Sequence, residues 1–319
     1  MRVAVPAISF CQQRNLVSRL LELYPDAKVN TDCIPYYQNE QDTIRFLADC
    51  DGAIVSFEPI NQRVLSALPQ LKVVSKLGVG LDKIDPGAMR ENNVRLGWTA
   101  GVNSRAVAEL TLAAMLAALR NVIPLNIAMR HGERPLQRLG RQLSGRVVGI
   151  HGCGCIGKEV VKLLQPFACE LLACDIKDYS EFYQAHGVEP VAMTEMLERA
   201  EIVSIHLPVT TKTLGLYNDE TLALLQDNAI LVNTARGRIV DELALRERLK
   251  KGQIAAACFD AFELEPPEDD ELLNLANFIA TPHIGASTEE ARWRMGTTAI
   301  HGLQDNFLPE PGVYPFEDS

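Results

Sequence analysis

The sequence is poor in the features that mark nucleic-acid-binding, membrane and secreted proteins. It has no long run of lysine or arginine and carries a formal net charge of -10, so we expect no nucleic-acid-binding surface. The most apolar window, Ala106 to Leu119, is interrupted by Glu109 and is too short to cross a bilayer. The segment MRVAVPAISFCQQRN lacks the apolar core of a signal peptide. We therefore expect a cytoplasmic protein that binds neither nucleic acid nor membranes.

Two common catalytic patterns are also missing. The sequence contains no G-x-S-x-G, which argues against a serine nucleophile of the hydrolase type. It contains no H-x-x-x-H, and His206 and His283 are not at the spacing of metal ligands, so we predict no metal site.

The composition indicates a folded protein of the α/β class. With 319 residues, 23% charged and 47% hydrophobic, the chain is long enough for two domains with a core in each. Short apolar runs alternate with helical patterns, which predicts parallel sheets. The predicted strands cover residues 2–8, 51–57, 71–77, 147–150, 171–175, 201–207, 229–234, 254–259 and 278–281.

A strand, a glycine-rich turn and a helix follow one another in the segment RVVGIHGCGCIG. Gly152, Gly154 and Gly157 have G-x-G-x-x-G spacing. Glycines at such a turn let a pyrophosphate approach backbone amides at the start of a helix, where a Cβ would block it. Asp175 ends the next predicted strand, where an acid binds ribose hydroxyls and repels a 2′-phosphate. The pattern predicts NAD as cofactor; the alternative for Asp175 is a solvated acid at a strand end.

Eight cysteines are scattered through apolar contexts, which is typical of reduced thiols in the cytosol. Cys153 and Cys155 lie between the turn glycines, and two interpretations stay open for them. They are small residues that fit a tight turn, or they are thiols that make the cofactor loop sensitive to oxidation.

Three polar residues follow apolar runs: Arg236 in NTARGRIVDE, Glu265 in FDAFELEPP and His283 in TPHIGAST. Loops after parallel strands converge on one edge of a cofactor cleft, so we expect these side chains to meet. An arginine there can bind a substrate carboxylate and polarise the adjacent carbonyl. A histidine can accept the hydroxyl proton as hydride leaves, and a glutamate beside it stabilises the imidazolium. Taken singly, each residue has a plain structural or solvated alternative.

A further loop, Gly78-Val79-Gly80, follows a buried strand in the first hundred residues. Its glycines leave backbone amides accessible to an anion, and Lys76 adds a positive charge nearby. The alternative is an ordinary turn between a strand and a helix.

Helical patterns raise three further expectations. Residues 104–120 are apolar on nearly all sides, so this helix must be buried within one protomer or at a subunit interface. A face of Leu16, Leu20, Leu21 and Leu23 predicts an early helix. Ser287 and Glu290 predict a capping box that opens a last helix extending to about residue 307. The basic segment 130–141 is predicted to be a surface connector, and residues 309–319 form an aperiodic tail.

Five segments follow one another along the chain: GCGCIG, IHLPVTTKT, LVNTARGRIVDE, FDAFELEPP and ATPHIGAST. With these segments in this order, the chain resembles D-isomer-specific 2-hydroxyacid dehydrogenases over nearly its whole length. The resemblance implies two doubly wound parallel-sheet domains, a Rossmann NAD domain inserted into a flavodoxin-like substrate domain. We place the substrate domain at residues 1–98 plus 286–319 and the NAD domain at 99–285. Family members are commonly dimers through the nucleotide domain, so the resemblance also implies a homodimer.

The resemblance implies roles for particular residues. Arg236, Glu265 and His283 fall on the catalytic positions, and the substrate is a small anionic 2-hydroxy or 2-oxo acid. Substrate contacts fall on Lys76, Gly78, Val79, Gly80 and Arg236. The implied cofactor contacts are Gly152, Gly154, Cys155, Ile156, Gly157, Asp175, His206, Pro208, Thr213, Thr234, Ala235, Asp260 and Gly285.

Within the family, SKLGVGLDKID and GVNSRAVAELTL are most similar to phosphoglycerate dehydrogenases. The short stretch after the final helix predicts that the regulatory carboxyl-terminal domains of the longer members are missing. His151 and the two cysteines of the turn depart from the family pattern.

Three alternatives remain open from the sequence. One is a glyoxylate or hydroxypyruvate reductase that prefers NADPH, against which Asp175 argues. Another is an NAD-sensing interaction protein, like the corepressors that share this fold, although all three catalytic positions are retained. The third is a specialised enzyme for formate or phosphite with a reshaped substrate loop.

Overall fold

The computed structural model of the protein describes residues 1–135 and 139–316, and the chain divides into two compact units. The first unit comprises residues 1–103 with 287–319, and the second comprises residues 104–286. Their assignment to substrate and NAD stays a prediction. Residues 136–138 of the predicted connector and residues 317–319 of the predicted tail lie outside the described ranges.

The strands of both units are short apolar segments. In the first unit they are β1 (Val3–Val5), β2 (Lys28–Val29), β3 (Gly52–Val55), β4 (Val73–Lys76) and β5 (Arg95–Gly97). In the second they are β6 (Val147–His151), β7 (Glu170–Cys174), β8 (Val188–Pro190), β9 (Ile202–Ile205), β10 (Ile230–Asn233), β11 (Ala256–Phe259) and β12 (Phe278–Ala280).

Helices connect these strands. They are α1 (Ile8–Cys11), α2 (Arg14–Leu23), α3 (Glu40–Leu47), α4 (Gln62–Ser66), α5 (Pro86–Glu91), α6 (Ser104–Leu119), α7 (Val122–Arg130), α8 (Cys155–Leu164), α9 (Ser180–His186), α10 (Met193–Arg199), α11 (Asp219–Leu222), α12 (Glu242–Lys250), α13 (Asp270–Leu273) and α14 (Glu289–Gly302). Short 3₁₀ turns occur at Tyr36–Gln38, Gln165–Phe167 and Gly237–Ile239.

The described part of the first unit contains a five-stranded parallel sheet in the order β2-β1-β3-β4-β5. This is the flavodoxin-like order, in which the direction of winding reverses beside the first strand. The last helix, α14, completes this unit: Ser75 Oγ donates to the carbonyl of Ala299 at 2.6 Å. Leu96 then pairs with Phe307 in an antiparallel bridge. The unit is therefore assembled from both ends of the chain.

The described part of the second unit contains a seven-stranded parallel sheet in the order β12-β11-β10-β9-β6-β7-β8. The order reverses at β6, as in a Rossmann fold. Apolar side chains on both faces form two clusters, one around Leu231 and Phe259 and the other around Val148 and Val160. The predicted fold class, two doubly wound parallel sheets, is confirmed.

Several predicted element boundaries were wrong. The first strand ends at Val5, because Pro6 cannot donate a ladder hydrogen bond. In α2, Leu16 and Leu20 are buried, whereas Leu21 and Leu23 are 37% and 44% exposed, because they lie off the face that positions four apart share.

The final helix was also predicted incorrectly at both ends. Its N-cap is Thr288, whose side chain accepts from the Ala291 amide; the alanine has no side-chain acceptor to return the bond, so Ser287 and Glu290 form no capping box there. The helix ends at Gly302, five residues before the predicted end at 307. The helix predicted at residues 104–120 is confirmed as α6.

Helix α7 was not predicted, since the segment before the basic connector carried no clear capping signal. Val122, Ile123, Ile127 and Met129 on this helix are 39% to 64% exposed. Among the described residues, no single helix is long and apolar enough to cross a membrane, although α6 and α7 would suffice by length and composition as a pair bent by 61°.

Candidate active site

The ends of six strands in the second unit are aligned in one row. His151 pairs with Cys174 and Ile205, Asn233 with Ile205 and Phe259, and Phe259 with Ala280. The next residue after each of these ends is therefore at the same edge of the sheet. These following residues are Gly152, Asp175, His206, Thr234, Asp260 and Thr281.

The glycines of the turn meet two different steric requirements. Gly152 has φ 93°, and a Cβ there would lie 2.7 Å from the His206 carbonyl oxygen. A Cβ at Gly157 would lie 2.2 Å from the Gly152 carbonyl oxygen. At Gly154, the N-cap of α8, nothing lies within 4 Å of such a Cβ. Two glycines thus allow close backbone packing, and the third leaves open space at a helix start, as a pyrophosphate requires.

The Asp175 carboxylate lies beside this turn. Its Oδ2 accepts from the Cys153 amide at 2.6 Å, and its Oδ1 accepts from the Lys177 amide at 2.8 Å. Cys155 and Ile156 begin α8; Cys155 is exposed, whereas Cys153 is buried. Burial raises the pKa of the Cys153 thiol to about 11, so it is protonated at neutral pH, which favours a packing role over a redox role for this residue.

Backbone and side-chain bonds fix the loop after β9. The His206 amide donates to the His151 carbonyl at 2.8 Å, and His206 Nε2 lies 2.9 Å from Ser204 Oγ. Its Nδ1 is buried with no hydrogen-bond partner in the described structure, and burial lowers the pKa of the ring to about 3. Thr213 Oγ1 donates to the Pro208 carbonyl at 2.6 Å. These predicted cofactor contacts are therefore part of one folded loop.

The loop after β10 is similarly fixed. Thr234 Oγ1 lies 2.8 Å from Thr111 Oγ1 on α6, and the Ala235 amide donates to Asn233 Oδ1. Asn233 also donates from Nδ2 to the carbonyl of Arg236 at 2.8 Å. Asn233 therefore sets the backbone from which the Arg236 side chain extends.

Asp260, which we predicted as a cofactor contact, binds the loop that carries the histidine. Its Oδ1 accepts from the Thr281 hydroxyl at 2.6 Å and the Ile284 amide at 2.8 Å. Its Oδ2 accepts from the Gly285 amide at 2.7 Å, and the residue is 2% exposed. Both oxygens are thus engaged within the protein, which fixes the loop around His283.

His283 and Glu265 form a direct pair. His283 Nδ1 lies 3.0 Å and 2.9 Å from the two Glu265 carboxylate oxygens, and both side chains are about one third exposed. The Phe262 amide also donates to Glu265 Oε1. Burial raises the pKa of Glu265. This effect is outweighed by the hydrogen bond to His283, the charge of His283, the hydrogen bond from the Phe262 amide and the charge of Arg236, so the net pKa of Glu265 is lowered. The carboxylate is ionised at neutral pH, and it fixes the orientation of the imidazole through Nδ1.

The Arg236 loop packs closely against the loop that leads to Glu265. A Cβ at Gly237 would lie 1.9 Å from the Phe262 carbonyl carbon, so this approach requires glycine. Arg236 Nη1 donates to the Ala235 carbonyl at 2.8 Å. The structure therefore brings the loops of all three predicted catalytic residues together within the second unit.

The predicted substrate loop belongs to the first unit. Lys76 ends β4 and is 9% exposed, and Gly78 has φ 95°. The Val79 carbonyl accepts from Trp98 Nε1 at 3.0 Å. Val79 and Gly80 are partly exposed, so the loop is anchored by Trp98 and still accessible.

Sequence reasoning missed several residues that shape these loops. His151 Nδ1 lies 2.7 Å from the hydroxyl of Tyr217, which is fully buried. Tyr217 also bridges to Val240, just beyond Arg236, so it connects the glycine turn to the arginine loop. A histidine at the end of an apolar strand was the available signal, but its partner is 66 residues away. Within residues 1–135 and 139–316 no group of histidine, cysteine or acidic residues could hold a metal ion.

Comparison with known proteins shows which family the chain is similar to. Residues 112–285 match the family described as D-isomer specific 2-hydroxyacid dehydrogenase, NAD binding domain. The D-3-phosphoglycerate dehydrogenase of Methanocaldococcus jannaschii is 40% identical over 83% of this chain, which spans 51% of that relative. The hydroxypyruvate reductase of Thermotoga maritima is 35% identical over 83% of this chain and 87% of its own length. A solved structure from Thermus thermophilus is similar with a TM-score of 0.83 and 31% identity, covering 95% of this chain and 96% of that chain.

Proposed function

The chain belongs to the family of D-isomer-specific 2-hydroxyacid dehydrogenases, and on this basis we propose that it transfers a hydride between NAD and a small 2-hydroxy acid or its 2-oxo partner. The observation that carries the proposal is the His283–Glu265 pair, on loops fixed by Asp260 and by the packing of Gly237. A general base oriented by a carboxylate, with an arginine nearby, suits a substrate that has a hydroxyl beside a carboxylate.

Each catalytic residue then has a defined task. Arg236 binds the substrate carboxylate and polarises the neighbouring carbonyl. His283 accepts the hydroxyl proton during oxidation and returns it during reduction. Glu265 stabilises the imidazolium, because its lowered pKa keeps it ionised at neutral pH. When bound, NAD accepts or supplies the hydride.

The residues around the glycine turn fit a dinucleotide. Gly154 provides open space at the start of α8. The Asp175 carboxylate lies beside the turn, where its oxygens can accept from ribose hydroxyls in addition to the Cys153 amide. The same carboxylate disfavours a 2′-phosphate, which supports NAD over NADP. The other implied contacts are the loop residues His206, Pro208, Thr213, Thr234 and Ala235.

A glyoxylate or hydroxypyruvate reductase is the second candidate, supported by the hydroxypyruvate reductase relative. It uses the same residues and differs in the substituent on the substrate. The NAD-sensing alternative is less well supported, because the His283–Glu265 pair is already in hydrogen-bonding geometry and a sensor does not need it.

The first experiment is NADH oxidation, followed by absorbance, against glyoxylate, pyruvate, hydroxypyruvate, 3-phosphohydroxypyruvate and branched 2-oxo acids. We expect turnover with at least one small member, and a parallel series with NADPH should be slower. Bound NADH without turnover across the whole panel would overturn the proposal in favour of the sensor or of an unrelated substrate.

We also propose a cytoplasmic homodimer that associates through the second unit. The exposed apolar residues Val122, Ile123, Ile127 and Met129 of α7 support this, since a contiguous apolar helix face is typical of an interface. Sedimentation at several concentrations should give a dimer, and Ile127→Glu should shift it toward monomer. A monomeric wild type would contradict this proposal.

A further inference from the structure

In the described part of the first unit, two charged side chains are almost completely buried, Glu58 and Lys76. They are 1% and 9% exposed. Burying an isolated ion is costly, so buried charges are retained when they are paired and hydrogen-bonded. Glu58 follows β3 and Lys76 ends β4, so both residues lie at the carboxyl edge of the sheet. Val55, at the end of β3, is directly opposite Lys76 in the parallel register.

The Glu58 carboxylate is fixed by the backbone just after β3. Its Oε2 accepts from the Ser56 amide at 2.7 Å. Burial raises the pKa of Glu58. The amides of Ser56, Glu58 and Phe57 and the charge of Lys76 act in the opposite direction without cancelling this effect, so the net pKa is raised. The carboxyl group therefore has a defined position and a cationic neighbour.

The Lys76 ammonium lies against the predicted substrate loop. Its Nζ donates to the Leu77 carbonyl at 2.9 Å. The same nitrogen is 4.0 Å from the position of a Cβ at Gly78. Any ligand bound to the amides of this loop would thus be close to the Lys76 ammonium. The Glu58 carboxylate is held on the Ser56 amide, directly after Val55, the residue opposite Lys76 in the register.

We propose that Glu58 determines which substrate charge is accepted: it offsets the charge of Lys76, whose ammonium lies beside Gly78, so that 2-oxo acids with one negative charge are accepted and those with an added phosphate are rejected. This inference rests on the proposed function. A phosphate brings a charge of about -1.5 to -2 at neutral pH, and a fixed carboxylate nearby repels it. Lys76 alone would attract the same group, so Glu58 decides the outcome.

The test compares kcat/KM for hydroxypyruvate and for 3-phosphohydroxypyruvate with NADH. We expect the wild type to prefer the unphosphorylated substrate by about tenfold or more. In Glu58→Gln, which keeps an oxygen to accept from the Ser56 amide, that preference should shrink by about tenfold. The matched control is Asp51→Asn, the same charge change before β3 at the opposite edge, where Asp51 pairs with Lys72; it should leave the ratio unchanged.

Every outcome decides the question. A wild type that prefers the phosphorylated substrate overturns the inference while leaving the proposed function intact, and it needs no variant. An unchanged ratio in a folded Glu58→Gln variant also overturns it. If that variant does not fold, Lys76→Gln provides the second test, since it should weaken the phosphorylated substrate more than the other. Absence of turnover with every 2-oxo acid would overturn the proposed function itself.

Discussion

His283 has a backbone conformation that is unusual for a side chain of its size. Its φ is 52°, in the left-handed region, which costs free energy in residues other than glycine. The loop keeps this conformation because Asp260 accepts hydrogen bonds from Thr281, Ile284 and Gly285. The imidazole is thereby directed toward Glu265.

Replacing His283 by alanine tests its role in proton transfer. We expect His283→Ala to lower kcat by about 10²–10⁴-fold, because a positioned general base contributes that much. NADH binding, measured by fluorescence titration, should be nearly unchanged. The control is His301→Ala, an exposed histidine at the end of α14. Normal turnover in His283→Ala would disprove the mechanism.

The Asp175 carboxylate offers a test of cofactor choice. Asp175→Ala should narrow the preference for NADH over NADPH, since it removes the charge that repels a 2′-phosphate. Asp175→Asn separates charge from structure, because it keeps an oxygen that can accept from the Cys153 amide. We expect the same narrowing in both variants when kcat/KM is measured with each cofactor. An unchanged ratio would mean that Asp175 does not contact the ribose.

At the level of elements, the strands that lead into the site residues could be predicted from the sequence. The contacts between the loops that follow these strands could not. Apolar runs ending in Asp175, Thr234 and Asp260 identified the strand ends correctly to within a few residues. The packing of Gly237 on Phe262 joins segments distant in sequence, and no local pattern encodes it.

The missed helix α7 and the overextended α14 have a similar explanation. Helix ends depend on caps and on tertiary contacts as much as on periodicity. Asn121, before α7, has a left-handed conformation and no side-chain cap bond, so the usual sequence signal for a helix start was missing.

The turn between β6 and α8 makes a prediction that separates folding from binding. Gly154→Ala should keep the melting temperature, because nothing in the protein lies within 4 Å of the new Cβ and φ at Gly154 is -72°. It should weaken NADH binding by about tenfold or more, since the Cβ enters the space where a pyrophosphate would approach the helix.

Gly157→Ala is the contrasting variant. Its Cβ would lie 2.2 Å from the Gly152 carbonyl oxygen, so we expect a lower melting temperature as well as weaker binding. Calorimetry and fluorescence titration measure the two effects. Equal melting temperatures for the two variants would contradict this reading of the turn.

For the whole molecule, buried neutral histidines predict sensitivity to acid. Burial lowers the pKa of His151 from 6.5 to about 4. As pH falls below 6.5, the unfolded chain binds a proton that the folded protein does not bind until about pH 4, so stability falls across this window. Below the window both states are protonated, and the loss is constant at about 3 kcal/mol.

Urea unfolding at pH 7 and pH 4.5 measures this loss. The variant to compare is His151→Leu with Tyr217→Phe, which removes both partners of the buried hydrogen bond and leaves neither unsatisfied. Both proteins should lose free energy of unfolding between pH 7 and pH 4.5. The loss in the double variant should be smaller than the loss in the wild type by about 2 to 3 kcal/mol. Identical losses would mean that His151 does not stay neutral in the folded protein.

The division of the chain has a consequence for its synthesis. The first unit needs α14 and the residues that follow it. Ser75 bonds to Ala299, Leu96 pairs with Phe307, and a Cβ at Gly97 would lie 2.2 Å from the Gly302 carbonyl oxygen. A ribosome releases these late residues after the whole of the second unit has emerged. The part of the protein that is translated first therefore completes its fold last. The second unit is a single uninterrupted segment, and it can fold while the strands of the first unit still lack their final helix.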